Sequence, residues 1–141
     1  MKWLGWIIAV MAVGCALAGC ARGAEPPSTE ADIRGVVTSL SNEGSESVSL
    51  RVVWTDDVAI GTKAAYDAAQ VTANADTEWF SRAANGATSG AEVTDVAVGT
   101  VVEAWFTGPI AESYPVQVKA GTIVILGTYD GELPEPPGLG L

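Results

Sequence analysis

Histidine is absent from all 141 residues, and only 7 Lys and Arg stand against 17 Asp and Glu. Without histidine the chain lacks the commonest general base and the commonest transition-metal ligand. The formal net charge of −10 argues against nucleic acid, because its binders neutralise phosphate with clustered Lys and Arg. It argues equally against docking on anionic headgroups by charge. A solvated acidic surface that resists non-specific association accounts for the balance. Cysteine is scarce, with Cys15 and Cys20 as the two instances. Calcium requires only oxygen ligands, yet no segment alternates Asp and Asn around a central Gly with a terminal Glu, as an EF-hand does. The densest acidic pair, Asp56-Asp57, reads as a solvated turn. No metal and no other cofactor is expected.

Long apolar runs are also missing, with one exception at the start. Lys2 supplies a short positive region, and Trp3 to Gly19 carries no charge. The run from Trp3 to Val13 suits insertion during export, and small residues then lead to a cleavage position. Leu17-Ala18-Gly19-Cys20 resembles the lipobox of bacterial lipoproteins: an apolar residue, two small ones, then cysteine. That resemblance implies a signal peptide over 1–19 and a diacylglycerol thioether on Cys20, the first residue of the mature chain. Two or three acyl chains, at about 0.8 kcal/mol per buried methylene, hold a protein on a membrane effectively permanently. The alternative is an uncleaved membrane helix, but the run falls short of the roughly 20 residues needed to span. Processing discards Cys15 and blocks Cys20, so no free thiol and no intramolecular disulfide is expected. Loss of Lys2 with the leader takes the charge from −10 to −11. The expected location is extracytoplasmic, lipid-anchored to the cell membrane, or to the outer membrane where the organism has one.

Residues 20–30 contain Gly23, Pro26, Pro27 and Ser28 and read as a flexible tether. Residues 132–141 hold three prolines, which lack ladder donors, and read as a disordered tail. Between them, 31–131 is roughly 100 residues, enough for one modest core. Strand signals dominate it. Ile33 to Leu40 runs into a turn at Ser41-Asn42-Glu43-Gly44, and Val48, Leu50 and Val52 then alternate with Ser49, Arg51 and Val53, predicting a hairpin. Ala65 to Ala73 reads as a third strand or a short helix. Asn85-Gly86 to Gly90 reads as loop, and Ala91 to Val98 as one helical turn or an extended connector. Val101 to Phe106 is a fourth strand ending at Gly108-Pro109, and Val116 to Leu126 a fifth. Five strands with an insertion between the third and fourth predict an all-β domain with little helix, a five-stranded OB-like Greek-key barrel. A small β-sandwich is the alternative. Gly35, set among β-branched neighbours in the first strand, predicts a kink or bulge at or beside it, as barrel closure requires.

Gly99 to Ile125 carries a sharper pattern. Val101-Val102-Glu103-Ala104-Trp105-Phe106 is followed by Gly108-Pro109-Ile110-Ala111-Glu112-Ser113-Tyr114-Pro115, then by Val118-Lys119-Ala120 and Ile123. With Ala31-Asp32-Ile33-Arg34-Gly35 as an opening strand, this resembles the YobA-like exported bacterial proteins, a domain of unknown function, over Ala31 to Leu126. The resemblance implies a lipid-anchored or secreted small β domain and supplies no catalytic residues.

Nucleophilic catalysis needs an activated side chain beside a base. No histidine, Ser-x-x-Lys or Gly-x-Ser-x-Gly is present to form one. A carboxylate pair for glycoside chemistry survives the count, but a domain this small seldom builds such a cleft. Three residues are candidates for ligand contact. Tyr114 and Glu112 lie in the Glu-Ser-Tyr-Pro corner, which offers an aromatic platform and an acceptor. The competing reading has Pro115 fixing entry to the last strand and Tyr114 lidding the barrel end with its hydroxyl bonded nearby. Alternation puts Trp105 on the face of Val101 and Glu103, either partly exposed or packed under the connector before the fourth strand. Trp54 and Trp79-Phe80 are further aromatics without an assigned place. The reading is a non-enzymatic binding or accessory module at the cell envelope. A small hydrolase using carboxylates and a protein-interaction domain for an envelope partner are the alternatives. An exposed aromatic groove, two close carboxylates in a cleft, or a flat apolar patch would separate the three.

Overall fold

The structure, a computed structural model, describes residues 25–42 and 47–135. The expected signal peptide and Cys20 lie outside the described residues, as do residues 21–24 of the expected tether and 136–141 of the proline-rich tail. Seven strands follow in order: β1 (Ile33–Asn42), β2 (Val48–Val53), β3 (Ala68–Ala73), β4 (Glu78–Arg82), β5 (Thr88–Gly90), β6 (Thr100–Ala111) and β7 (Val116–Thr128). A 3-10 turn, Val93–Asp95, precedes β6.

β1, β2 and β3 form an antiparallel meander, and β1 also pairs with β6, which pairs with β7. A short parallel ladder, from Ala69 opposite Val116 to Thr72 opposite Lys119, joins β3 to β7 and closes the ring. Around the barrel the order is β1-β2-β3-β7-β6, a closed five-stranded all-β barrel of OB-like form with two added strands. A sandwich would leave the β3 and β7 edges apart, so that alternative is overturned. Ala68–Ala73 is a strand and not a short helix, because its register with β2 buries Ala69, Val71 and Ala73.

Two strands are long because each serves more than one partner. β1 pairs through Ile33–Val36 with β6, and from Val36 onward with β2. β7 meets β3 along its first half and the added strand β4 along its second, through Glu78 opposite Thr122 to Ser81 opposite Ile125. The bulge expected in β1 falls between Val37 and Ser39, a few residues beyond Gly35. Gly35 has a different and more stringent reason. A Cβ there would collide with the Val53 carbonyl and lie 2.8 Å from Trp54 N. Close backbone approach, where β1 passes from one partner to the other, is what requires glycine.

The reading of Asn85 to Gly90 as loop needs correction. The chain turns tightly at Ala83–Ala87, with Gly86 at φ 92. Thr88–Gly90 then pairs with Phe80–Arg82 as the exposed strand β5. This β4–β5 hairpin occupies the insertion between the third and fourth barrel strands. β6 also continues through Gly108-Pro109 to Ala111.

Alternation sorts the side chains into an inner and an outer layer. Ile33, Val37, Leu50, Val52, Val71, Val102, Ala104, Val118 and Ile123 fill the barrel. Outside the wall, Phe80, Trp105, Val124 and Ala31 form a second cluster, and Val36, Ile60 and Val101 a third. Between these outer clusters lies a charged network. Glu103, 7% exposed, accepts from Arg34 Nε at 2.8 Å and from Arg82 Nη1 at 3.0 Å, while Arg34 Nη1 also donates to Thr62 O at 2.6 Å. Arg34 and Glu103 are direct cross-strand neighbours. The network ties the β2–β3 connection and the β4–β5 hairpin to the barrel wall.

Candidate functional site

The three residues proposed from the sequence do not come together. Trp105 is only 9% exposed and packs with Ala31, Phe80 and Val124. Its Nε1 donates to Thr29 O at 3.0 Å. The cover is the entering N-terminal segment and the β4–β5 hairpin, not the connector before the fourth barrel strand. A ligand-contact role for Trp105 is therefore withdrawn: an indole enclosed on the outer wall with its one donor satisfied has nothing to offer a ligand.

Glu112 and Tyr114 lie in the β6–β7 turn, and both are exposed. Tyr114 is 48% exposed, and its hydroxyl donates to Asp67 Oδ1 at 3.2 Å. Ser113 Oγ donates to Pro115 O at 2.9 Å, closing the corner on itself. Partial burial, and after it the Asp67 carboxylate, raise the Tyr114 phenol above its ordinary pKa. The hydroxyl is thus bonded nearby, as the lid reading expects, while half the ring remains in solvent. Neither of the two cavities described below is lined by this corner.

The Asp56-Asp57 turn is likewise engaged. Asp57 Oδ1 accepts from Ala59 N at 2.8 Å, and Oδ2 from the Tyr129 hydroxyl at 3.0 Å. That hydrogen bond, then desolvation, raises the Tyr129 phenol above its ordinary pKa. A wide cleft of about 600 Å³ opens beside this turn, lined by Trp54, Val58 and Lys63 among others. Its main groups already have partners: Trp54 Nε1 donates to Gly61 O at 3.0 Å, and Lys63 Nζ sits 6.0 Å from the centre of the Trp54 ring.

The other end of the barrel differs. The end of β1 (Asn42), Ser47 and the first residue of β2 (Val48), the β3–β4 turn, Trp79 of β4 and the segment Ala91–Val93 surround a cavity of about 450 Å³. That falls within the roughly 300–1,000 Å³ typical of small-molecule sites. Its walls are braced. Thr77 Oγ1 accepts from Asn74 N at 2.9 Å and donates to Ala120 O at 2.8 Å, fastening the turn to β7. Asn74 Oδ1 accepts from Asp76 N at 2.8 Å. Opposite, Ala91 N donates to Trp79 O at 3.0 Å and Glu92 N to Asp95 Oδ2 at 2.9 Å. Trp79 is held on the inner side because β4 runs in parallel register with β7, Trp79 opposite Ile123, and Phe80 takes the outer face.

The lining is apolar on Val48, Ala73, Trp79, Ala91 and Val93 and polar at Asn42, Ser47 and Asn74. Glu92 is the one charged residue among the described lining residues. Such a concavity can hold and orient a small molecule. Among the described residues, no group of three or more His, Cys, Asp or Glu could hold a metal ion. Likewise, no helix of the described residues is long and apolar enough to cross a membrane. A partial signal for this site lay in the chain itself, since Trp79 alternates with Phe80 between polar neighbours. Its partners, however, come from three segments far apart in the chain. No family model, curated protein or solved structure matches the chain.

Proposed function

We propose that this chain is a YobA-like exported lipoprotein, anchored through Cys20, whose barrel binds a small ligand in the mouth pocket lined by Trp79. The pocket carries the binding half of the reading: it is concave, braced by hydrogen bonds on both walls, and mixes an indole with a few polar groups. The anchoring half rests on the Leu17-Ala18-Gly19-Cys20 sequence behind an uncharged apolar run. The two fit together along β1. Chain entry is at Thr29–Ile33, and β1 then runs ten residues to Asn42 at the pocket, so the mouth lies at the strand end away from the tether. A ligand can reach it while the lipid stays in the bilayer.

Intact mass of the membrane-extracted protein tests the anchor. The expected species begins at Cys20 and carries added acyl mass, and Cys20→Ala accumulates as unprocessed precursor. An unmodified chain beginning at Met1 as the major species would refute anchoring. Indole resonances of the full-length protein, recorded against a set of small soluble compounds, test the pocket. Binding at the mouth shifts Trp79 and leaves Trp105 in place; a set that never moves Trp79 removes the pocket as a site.

A further inference from the structure

We infer that the mouth pocket selects a small organic cation, an ammonium group on a short apolar body, held between the Trp79 indole and the Glu92 carboxylate. This inference rests on the pocket being a ligand site and adds the chemical class of the ligand.

Three observations converge on it. The first is the cavity itself, with an indole in one wall and a single carboxylate as its one charged described lining residue. An indole attracts a cation through its ring quadrupole, and a nearby carboxylate supplies the counter-charge. The second is the charge around the opening. The segments 73–79 and 91–95, which contribute two of its sides, carry the exposed Asp76, Glu92 and Asp95 and neither Lys nor Arg, while Glu78 alternates with Trp79 onto the outer face. A rim of one sign beside a concave apolar wall focuses the field into the cavity and concentrates counter-ions there. The third is an internal contrast. At the opposite end, Trp54 already has the Lys63 ammonium over its ring at 6.0 Å. The Trp79 pocket has the same indole chemistry and no basic side chain in its described lining.

Other occupants fit less well. An anion would meet Glu92 with no Lys or Arg in the described lining to offset it. A bare metal ion would find one carboxylate where hard cations take six or more oxygen ligands or several waters. A wholly apolar molecule would leave the charge of Glu92 without a counter-charge.

The test uses the full-length lipidated protein in a non-ionic detergent, with choline, tetramethylammonium and putrescine as probes. The uncharged carbon isostere of choline, 3,3-dimethylbutan-1-ol, is the control. Trp79 indole shifts report binding, and the Trp105 indole reports that the fold is intact. We expect at least one ammonium probe to saturate, with an affinity about tenfold or more above the isostere, an attraction that weakens as salt is raised. Glu92→Gln should remove most of that preference and its salt dependence; Trp79→Phe, which lacks the reporter indole and is followed by titration calorimetry, should weaken binding while the Trp105 indole shows the fold intact. An isostere that binds as well as choline, or a Glu92→Gln variant with unchanged selectivity, overturns the cation inference and leaves the pocket as a site. Failure of all three ammonium probes while the isostere shifts Trp79 does the same. If no probe moves Trp79, both the inference and the pocket reading fall.

Discussion

Trp79 and Trp105 sit on neighbouring parts of one small barrel, yet their surroundings are opposite. Trp105 points away from the barrel interior and is nevertheless enclosed, because the entering segment and the β4–β5 hairpin build a second layer over it. Trp79 points toward the interior and is nevertheless half-open, because it stands at the mouth where the strands end. In a barrel with an outer layer, the side a residue faces does not by itself decide its burial. What decides is whether another part of the chain returns to cover it. The outer wall is where this protein places its charged network and its largest enclosed aromatic, and the mouth is where it leaves space.

That contrast can be broken most forcefully at Trp105. Trp105→Ala should destabilise the fold by about 3–5 kcal/mol, the range for truncating a large buried aromatic. Trp79→Ala, lacking full enclosure, should cost clearly less. Denaturant midpoints of the two variants give the comparison, and equal losses would mean that the outer layer is not a structural element. Gly35→Val should follow, at about 1–3 kcal/mol or somewhat more, because its Cβ meets the backbone of Val53 and Trp54, which cannot rotate away. A valine variant with an unchanged midpoint would show that β1 and β2 do not approach so closely.

Glu103→Gln sharpens the comparison from the charged side. It keeps the shape but removes the charge shared by Arg34 and Arg82, whose side chains remain partly in solvent. Charge-assisted hydrogen bonds contribute about 1.5–3 kcal/mol each when well made, and solvent screening of the arginines places the expected loss at the low end. Faster proteolysis within the β4–β5 hairpin should accompany it, since Arg82 is that hairpin's charged link to β6. No change in either readout would make the network ornamental.

The smallest effect is a pH response at the tyrosines. Tyr114 and Tyr129 both have raised phenol pKa values in the folded protein. Folding therefore favours the protonated phenol. Its contribution is fully present below the unfolded value of about 10 and is lost as pH rises through the raised folded value. Alkaline titration followed by phenolate absorbance should show these two ionising later than an unfolded control. Asp67→Asn should bring Tyr114 down toward the ordinary range while Tyr129 stays raised.

Much of the barrel was legible because β1, β2, β6 and β7 carry β-branched residues at alternate positions, and the turns between them are short. The split of Val102, Ala104 and Phe106 from Val101, Glu103 and Trp105 came out as the alternation implies. The fate of the second set did not, because the pieces covering Trp105 come from Thr29 and Phe80, far away in sequence. β5 was illegible for a local reason: Thr88-Ser89-Gly90 has one β-branched residue and no apolar one, and takes strand form only through its partner β4. Gly35 signalled a constraint correctly, but sequence cannot distinguish a bulge from a close approach. The mouth pocket was missed because it is assembled from Asn42, Ser47, Val48 and the segments 73–79 and 91–93, none of which carries a motif alone.

One spectrum tests the central contrast directly: the tryptophan indole N–H resonances of the full-length protein, followed through hydrogen exchange and then through titration with choline, tetramethylammonium and putrescine until one of them saturates. The account predicts a Trp105 signal that exchanges slowly and does not move, because its N–H is bonded to Thr29 O beneath the outer layer, beside a Trp79 signal that shifts and saturates. A Trp105 indole that exchanges quickly or shifts with ligand, beside a Trp79 indole that does neither, would contradict it.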